Sequence, residues 1–437
     1  MSKNFPKNWQ QKTLEDCMEA IIDYRGKTPE KTSFGIPLIT AKIVKDGQIN
    51  NIQEYIAIKD YDSWMRRGLP EPGDIVMTTE APLGEIAQLD NRKVALGQRL
   101  ITLRGNPTIL NNNYLKFLMQ SFFVQNQLHE RATGTTVLGI KQSELRKINL
   151  VIPPLSEQKA IAHILSSLDD KIELNRQMNE TLEAMAKAIF KSWFVDFDPV
   201  SAKRSGRQPA GMDTATADLF PDEFEESSLG LIPKGWRVGK LGDLGKIVTG
   251  KTPSTKVAEY FGGNVPFITP SDMDGKKTIS RTARYLTEDG VNAVKSAKIP
   301  AGSIMVSCIG SDMGKVACTV QDSVTNQQIN SIIANDYSRE YIYYNLSQRK
   351  EELQNLAGGG SAVPILNKGH FSNIEILIPD IYLLKQFDNF SNTFTKKIYE
   401  NDEESHILAT LRDTLLPKLM SGEIRVKEAE KIMEKLT

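Results

Sequence analysis

Apolar residues recur every three or four positions along two long stretches of the chain, and this spacing predicts two amphipathic helices. The stretches run over about 156–195 and about 382–421. Each would hold ~40 residues and measure ~60 Å at the helical rise of ~1.5 Å per residue. Ser156 follows two prolines and has the character of an N-cap, with Glu157 in the first turn.

A long amphipathic helix is marginally stable alone and needs an apolar partner. The other long helix is the obvious partner, although two helices that each pack on their own domain are an alternative. We favour mutual, antiparallel pairing because the stripes have similar lengths and the two copies keep a constant offset of 226 residues. The predicted seam consists of Ile161, Leu165, Leu168, Ile172, Asn175, Leu182, Ile189, Trp193, Phe394, Ile398, Asn401, Leu408, Leu411, Leu415 and Leu419.

Other parts of the chain also occur twice. Residues 150–154 match residues 376–380, and the Gly-Lys-Thr-Pro motif at 26–29 recurs at 250–253. The repeated unit is a whole domain plus a helix, far longer than the ~20–50 residues of a solenoid repeat. Two similar units related by a pseudo-twofold axis would exchange equivalent contacts at their centre. We therefore expect Asn175 and Asn401 to approach each other across the seam.

Short apolar runs between Gly, Pro and Asn predict strands near 36–39, 74–77 and 100–103, and a helix is predicted over 113–128. The predicted fold class is α+β, with two similar α+β domains joined by two long helices that pair as an antiparallel coiled coil. The expected divisions are a first domain at 1–153, a helix at 154–198, a linker at 199–230, a second domain at 231–379, a helix at 380–425 and a charged tail at 426–437.

The composition is that of a globular protein, with 40% apolar and 25% charged residues. The 54 basic and 54 acidic residues cancel, which argues against nucleic-acid binding by bulk charge alone but not against local basic surfaces. The sequence has no apolar run of about 18 residues, no apolar leader segment and only three cysteines. We therefore expect a cytoplasmic protein without a membrane partner.

Each candidate catalytic motif in the sequence lacks part of the pattern or structural context that it requires. Residues 245–252 fit the Walker A pattern, but Pro253 follows at once and the centre of the motif resembles a strand, so nucleotide binding is not expected. The histidines and cysteines lack metal-ligand spacing. The Gly-x-Ser-x-Gly motif and the amino-methyltransferase signature are both absent. The sequence therefore predicts a binding protein with no catalytic residues, no metal and no cofactor of its own.

Three segments carry a specific resemblance. The first combines Ile-Pro-Pro-Leu-Ser-Glu-Gln at 152–158 with Ser-Trp-Phe-Val-Asp-Phe-Asp-Pro-Val at 192–200. The second combines Leu-Phe-Pro-Asp-Glu-Phe at 219–224 with Ile-Pro-Lys-Gly-Trp at 232–236, and the third lies at 415–424. Together they resemble the conserved regions of type I restriction–modification specificity subunits. The second copy departs from the Pro-Pro-Leu-x-Glu-Gln pattern at 379–386, where only the leading proline and Gln386 remain.

This resemblance implies a DNA-specificity subunit. Each α+β domain would be a target-recognition domain that reads one half of a bipartite site in double-stranded DNA. The helices would set the spacer and dock two methyltransferase subunits, which translocase–nuclease subunits would join. The chain itself would be non-catalytic, since S-adenosylmethionine, ATP and Mg are expected in the partner subunits.

Base recognition requires polar side chains at base edges, and phosphate contacts fix the register on DNA. We therefore expect polar residues in duplicated loops to contact DNA, with a merely solvated loop residue as the alternative for each. The candidates are Lys27, Thr28, Lys42, Thr135, Thr136 and Lys141 in the first domain, and Lys251, Thr252, Ser271, Lys276, Lys277 and Ser361 in the second. Two other functions remain open: an adaptor between two proteins, and a nucleotide hydrolase.

Overall fold

A computed structural model of the chain describes residues 5–24, 28–335, 339–357 and 365–434. The chain forms two compact units. The first unit consists of Met1–Leu174 with Glu404–Thr437, and the second of Asn175–Glu403. Each unit contains one α+β domain and part of each of two long helices.

The domain of the first unit is built from short strands and short helices. Its strands are β1 (Gln10–Thr13), β2 (Met18–Asp23), β3 (Ile36–Ile39), β4 (Val44–Lys45), β5 (Gln48–Ile49), β6 (Tyr55–Ile56), β7 (Ile75–Thr79), β8 (Leu83–Gln88), β9 (Ala95–Leu96), β10 (Leu100–Gly105) and β11 (Asn149–Ile152). Its helices are α1 (Leu14–Cys17), α2 (Tyr61–Trp64), α3 (Asn112–Gln120), α4 (Phe122–Arg131) and α5 (Gln142–Leu145). The chain then enters the long helix α6 (Leu155–Phe194).

After α6, the chain forms the domain of the second unit and then returns to the first unit. The strands are β12 (Phe224–Ser227), β13 (Gly230–Pro233), β14 (Arg237–Lys240), β15 (Gly245–Thr249), β16 (Phe261–Ile268), β17 (Thr278–Ile279), β18 (Tyr285–Leu286), β19 (Lys298–Ile299), β20 (Ile304–Ser307), β21 (Val316–Thr319), β22 (Ser323–Thr325), β23 (Ile329–Ala334) and β24 (Glu375–Ile378). The helices are α7 (Asp198–Arg204), α8 (Thr214–Asp218), α9 (Glu288–Ala293), α10 (Arg339–Ser347), α11 (Lys350–Ala357), α12 (Lys368–Ser372), the long α13 (Ile381–Ser421) and α14 (Val426–Met433). The strands and helices from α7 to β24 belong to the second unit, the long helix α13 has residues in both units, and α14 belongs to the first.

The two domains repeat one sheet topology, as the internal match in the sequence predicts. The main sheet has the order β2-β10-β7-β8 in the first domain and β15-β23-β20-β21 in the second, where β17 is added at the edge. A smaller sheet has the order β6-β3-β9, and its equivalent is β18-β16-β22 with β19 at the edge. The antiparallel pair β1–β11 corresponds to β14–β24. The predicted α+β fold with an internal repeat is therefore confirmed.

Two segments differ from their predicted form. The helix expected over 113–128 is divided at Ser121, which is extended and accepts a hydrogen bond from the Val124 amide, so that α4 begins anew. The region expected as a linker at 199–230 folds into α7, α8 and the β12–β13 hairpin, and it buries Val200 and Phe220 in the core of the second unit. Apolar residues spaced among polar ones are enough to anchor this segment.

The start of α6 is fixed to the first domain by a buried glutamine. The helix begins at Leu155, and the Pro154 carbonyl accepts from the Gln158 amide, so Ser156 lies inside the first turn and is not the N-cap. The Gln158 side chain is fully buried. It donates to the carbonyls of Pro153 and Ile109, and its carbonyl accepts from the Asn111 amide. At the offset of 226 residues, which also relates the starts of α6 and α13, the second copy has the buried Leu384 in place of Gln158. Gln386, which the motif comparison retained, is exposed.

In the first unit, α6 and α13 lie antiparallel and share the domain's core. Ile161, Leu165 and Leu168 are buried in the same core as Leu411, Leu415 and Leu419. Asp169 pairs with Arg412 at 2.9 Å, whereas Glu157, nearer the start of α6, pairs with Arg425 at 2.8 Å, beyond the end of α13. Asp169 also accepts from Lys116 of α3 at 2.6 Å, which ties the domain to both helices.

In the second unit, the helix pair is polar near its centre and aromatic farther along. Asn175 donates to the Asn401 carbonyl at 3.3 Å, and Asn401 donates to the Asn179 side chain at 2.8 Å. Asn175 and Asn401 are buried, at 1% and 2% exposure. Beyond these asparagines, aromatic rings fill the seam. Phe190, Phe194 and Phe387 are buried together, and the predicted seam does not include them.

The remaining predicted seam positions vary in burial. Ile398 is buried. The residues that are only partly covered are Ile172, Leu182, Ile189, Trp193, Phe394 and Leu408. Ile164, which the predicted seam omits, is buried in the core of the first unit. The seam is therefore wider than a strict two-position stripe, because each helix also covers the domain beside it.

The buried amides provide a test of register. A buried asparagine in a helix pair costs stability but restricts the register, because an offset pair leaves it unsatisfied. We predict that Asn175→Leu with Asn401→Leu raises the free energy of unfolding by about 1–4 kcal/mol, measured in urea, and broadens the distance distribution between spin labels at Met185 and Phe390. Asn389→Leu, at an exposed position of α13, is the control. A narrow, unchanged distribution in the double variant would show that the amides do not set the register.

Candidate nucleic-acid interface

The first domain carries two adjoining clefts at the loop that precedes β10. Gln98 and Arg99 line both clefts. One cleft is completed by Thr28, Lys42 and residues of β3 and its following turn. The other is lined by Glu80, Lys141 and the segment around Gly139. Polar and charged side chains from five separate loops therefore converge on one surface of this domain.

The predicted DNA-binding residues of the first domain lie on or near this surface. Thr28 and Lys42 are exposed and line one cleft, and Lys141 is exposed and lines the other. Thr135 and Thr136 are exposed in the loop that leads to Gly139, although they do not line either cleft. Lys27 lies outside the described residues.

The second domain builds the equivalent loop with the same backbone contacts. The Gly97 amide donates to Ile39 at 2.8 Å, and the Asn326 amide donates to Ile268 at 3.0 Å. Thr252 donates to the Gln327 side chain at 2.5 Å, and the Lys251 amide donates to Thr325 at 2.8 Å. Two predicted residues, Lys251 and Thr252, thus sit beside the loop that is equivalent to Gln98 and Arg99.

Gly250 permits this close approach. A Cβ atom at Gly250 would lie 2.0 Å from the Asn326 carbonyl oxygen, so any side chain would push the two loops apart. The preceding residues Gly245–Thr249 form β15, which pairs with β23. The Walker A-like sequence is therefore a strand followed by a tight loop contact, not a phosphate-binding loop at the start of a helix.

The other predicted residues of the second domain lie in different surroundings. Ser271 is exposed, and its hydroxyl is 2.8 Å from that of Thr269. Lys276 is 59% exposed and faces Asp402 at 3.9 Å. Ser361 lies outside the described residues. Lys277 is a correction: its side chain is only 2% exposed, so this lysine is part of the domain's interior and cannot reach DNA.

Lys277 is buried because it neutralises a buried carboxylate. It donates to Glu340 of α10, and further to the hydroxyls of Tyr344 at 2.9 Å and Thr395 at 2.7 Å. Burial opposes ionisation of Glu340, but the adjacent Lys277 outweighs it and lowers the pKa of this carboxyl. Ser391 of α13 also donates to Glu340 at 2.9 Å. The network therefore joins the second domain to the long helix.

The residues that the sequence did not single out are Gln98, Arg99 and Gln327. The internal repeat could have identified them from the sequence, because Gly-Gln-Arg at 97–99 is equivalent to Asn-Gln-Gln at 326–328. The hydrogen bond from the Thr79 amide to Arg99, 2.9 Å, has its counterpart from the Cys308 amide to Gln328, 2.8 Å. These equivalent bonds fix the alignment where sequence similarity is weak.

The three cysteines have the properties of structural core residues. Cys17, Cys308 and Cys318 are free and buried, and burial raises the pKa of Cys17 and Cys308 to about 11 and that of Cys318 to about 12. Across the described ranges, no group of three or more His, Cys, Asp or Glu residues is placed to hold a metal ion. Among the helices of the same ranges, none has the length and apolar content to cross a membrane.

Comparison with known proteins gives consistent matches over both repeats. The family model described as "Type I restriction modification DNA specificity domain" matches residues 6–184 and 233–401. The HindI specificity subunit of Haemophilus influenzae is 34% identical over 84% of this chain and 90% of its own length. The MjaIX specificity subunit of Methanocaldococcus jannaschii is 27% identical over 97% of this chain and 95% of its own.

One solved structure shares the fold. It is the S subunit of a type I restriction–modification system from M. genitalium, with a TM-score of 0.62 and 15% sequence identity. The alignment covers 96% of this chain and 97% of the other. The fold is therefore shared although most side chains differ.

The buried lysine gives a stability prediction. Lys277→Met leaves the buried Glu340 carboxylate with only the partly exposed Arg339, at 3.2 Å, as a counter-charge, and breaking a buried pair in this way costs up to about 3–5 kcal/mol. We expect this loss in urea unfolding at neutral pH. Because the pKa of Glu340 is lowered in the folded state, the pair's contribution is present at neutral pH and falls as the pH drops through that lowered pKa.

Lys276→Met is the matched control, since this neighbouring lysine is largely exposed and such pairs contribute about 0–1 kcal/mol. Equal losses for the two variants would contradict a specific role for the buried pair.

Proposed function

The chain belongs to the family of type I restriction–modification specificity subunits, and on that premise we propose that each of its domains reads one half of a bipartite site in double-stranded DNA. The long helices α6 and α13 set the spacer between the halves and dock two methyltransferase subunits. Translocase–nuclease subunits join that complex. The chain supplies sequence recognition and no chemistry of its own.

The observation that carries this proposal is a loop that both domains hold in the same way. We call the backbone of residues 97–99 and 326–328, with its hydrogen bonds, the loop frame. Both domains present a polar loop before the equivalent strands β10 and β23, held by the same backbone hydrogen bonds. The side chains on this frame differ: Gln98 and Arg99 in the first domain correspond to Gln327 and Gln328 in the second. A constant frame with different polar side chains is suited to reading two different base sequences.

Membership of the same family also implies that DNA recognition and catalysis are carried out by different subunits. Methyl transfer to adenine from S-adenosylmethionine would take place in the methyltransferase subunits, and ATP and Mg would be bound by the partner subunits. This chain would hold none of these groups. The alternative, an adaptor that joins two proteins without reading DNA, predicts no effect of these loops on the DNA sequence that is modified.

Exchange of one domain tests the proposal. We predict that replacing residues 1–153 by the corresponding domain of the Haemophilus influenzae relative changes one half of the methylated DNA motif and leaves the other half intact, because base readout is local to each domain. The motif is measured by single-molecule sequencing of modified adenines in cells that carry the complete system. An unchanged motif would favour the adaptor, and a change in both halves would contradict separate readout.

Helix length tests the spacer. One heptad inserted into each long helix adds ~10 Å at ~1.5 Å per residue, which corresponds to ~3 base pairs at ~3.4 Å each. We expect the non-specific spacer of the methylated motif to lengthen by that amount, because seven residues preserve the helix seam. A three-residue insertion, which rotates the seam out of register, is the control and should abolish assembly. A complex with lengthened helices that still methylates the original motif would contradict the role of the helices in setting the spacer.

A further inference from the structure

The loop frame of the first domain carries an ion pair whose chemistry matches one kind of base pair. We propose that Arg99 and Glu80 are specificity-determining residues that together select a G·C base pair in the half-site read by the first domain. This inference rests on the proposed function and extends it from the domain to two side chains.

The geometry places the two side chains next to each other and open to a ligand. The Arg99 Nε lies 3.0 Å from a carboxylate oxygen of Glu80, and the two side chains are 48% and 44% exposed. The hydrogen bond from the Thr79 amide to the Arg99 carbonyl joins the two loops directly behind the pair. Arg99 lines both clefts of the domain and Glu80 lines one of them.

Arg99 is held in a backbone conformation that non-glycine residues rarely adopt. Its φ is +70°, in the left-handed region, and Ala81, the residue after Glu80, has a φ of +49°. Such backbone strain collects at functional sites. An ion pair between two exposed side chains contributes little to stability. The pair therefore does not explain, as a stabilising contact, why an arginine stands at this position.

The chemistry of the pair fits G·C in the major groove. Guanine offers O6 and N7 as acceptors, which an arginine guanidinium reaches in a bidentate manner, and cytosine offers its N4 amino group to a carboxylate. In an A·T pair, Glu80 would face thymine O4, an acceptor, and would repel it. Arg99 thus favours binding of the G·C pair, and Glu80 disfavours binding of the A·T pair. Before DNA binds, the carboxylate keeps the guanidinium oriented at the surface.

The second domain shows that the frame itself does not require this pair. Ile309 and Gln328 occupy the positions equivalent to Glu80 and Arg99. The equivalence rests on two contacts: the Cys308 amide donates to the Gln328 carbonyl, and Ile309 bridges to Ile365 as Glu80 bridges to Gly139. The backbone contacts persist with an apolar residue and an amide in place of the ions. Arg99 and Glu80 are therefore particular to the first domain, as residues that read its own half-site should be.

The test uses the purified complex with its methyltransferase subunits on a library of randomised duplexes. S-adenosylmethionine is added, and the modified adenines are sequenced. We expect one half of the wild-type motif to contain a fixed G·C pair. Arg99→Gly, which suits a positive φ and so preserves the fold, should reduce discrimination at that pair about 5- to 150-fold. Glu80→Gln should relax the same position and no other.

Two further variants separate base reading from other roles. Arg99→Lys keeps the charge but not the bidentate geometry, so it should also relax the G·C position. Retention of full discrimination by this variant would show that the bidentate guanidinium does not read the base and would overturn the proposal. Equally weaker modification of all sequences would indicate a phosphate contact instead and would also overturn it. Arg92→Ala breaks another exposed ion pair of the same domain, with Asp90 at 2.6 Å, and should leave the motif unchanged.

The outcomes distinguish this inference from the proposed function. A bipartite wild-type motif that Arg99→Gly reads with undiminished stringency would overturn the assignment of Arg99 alone. Loss of stringency at every position of the half-site would also overturn it, since the residue would then support the fold. A wild-type complex that modifies no bipartite motif would overturn the proposed function itself.

Discussion

Each long helix has an apolar stripe that must be covered, and α6 and α13 cover each other's stripe. A single helix of this length would be marginal in water, because most helical stability in proteins comes from packing of the apolar face. In the first unit the cover is aliphatic, with Leu165 and Leu168 sharing a core with Leu415. In the second it is aromatic, with Phe190 and Phe194 against Phe387. Within each unit, the domain joins a long helix directly, because β11 leads into α6 in the first unit and β24 leads into α13 in the second.

Polar groups restrict how the domains attach, and here the two copies have diverged. In the first unit the carboxylate belongs to the helix: Asp169 of α6 accepts from Lys116 of the domain and from Arg412 of α13. The equivalent helix position in the second copy is Thr395, and the carboxylate, Glu340, comes from the domain. Each arrangement neutralises its carboxylate, which is 16% exposed in the first unit and fully buried in the second, with charged hydrogen-bond donors. The same geometry is therefore maintained by two different sets of ionic partners.

Under the proposed function, the separation of the backbone of these loops from their side chains would let such a chain change its DNA target without losing its fold. Backbone hydrogen bonds at Arg99 and Gln328 hold the two loops in equivalent places, whereas the side chains there share little chemistry. The cores lie behind these loops and are made of β7, β10 and their equivalents. Substitution of an exposed loop side chain leaves those cores intact, since surface changes away from caps and buried networks rarely alter stability by more than about 0.5 kcal/mol.

The sequence by itself determined the long helices, the internal repeat and the α+β character of both domains, because apolar periodicity and repeated motifs are properties of short segments. It also drew attention to Asn175 and Asn401, which lie at equivalent positions of two periodic stripes. Only the tertiary structure determined that Lys277 is buried, because its partner Glu340 is 63 residues away in the sequence. It alone joined Glu80 to Arg99, since that contact depends on the antiparallel pairing of β7 with β10. Contacts across strands depend on register, and register is set by the packing of the whole domain.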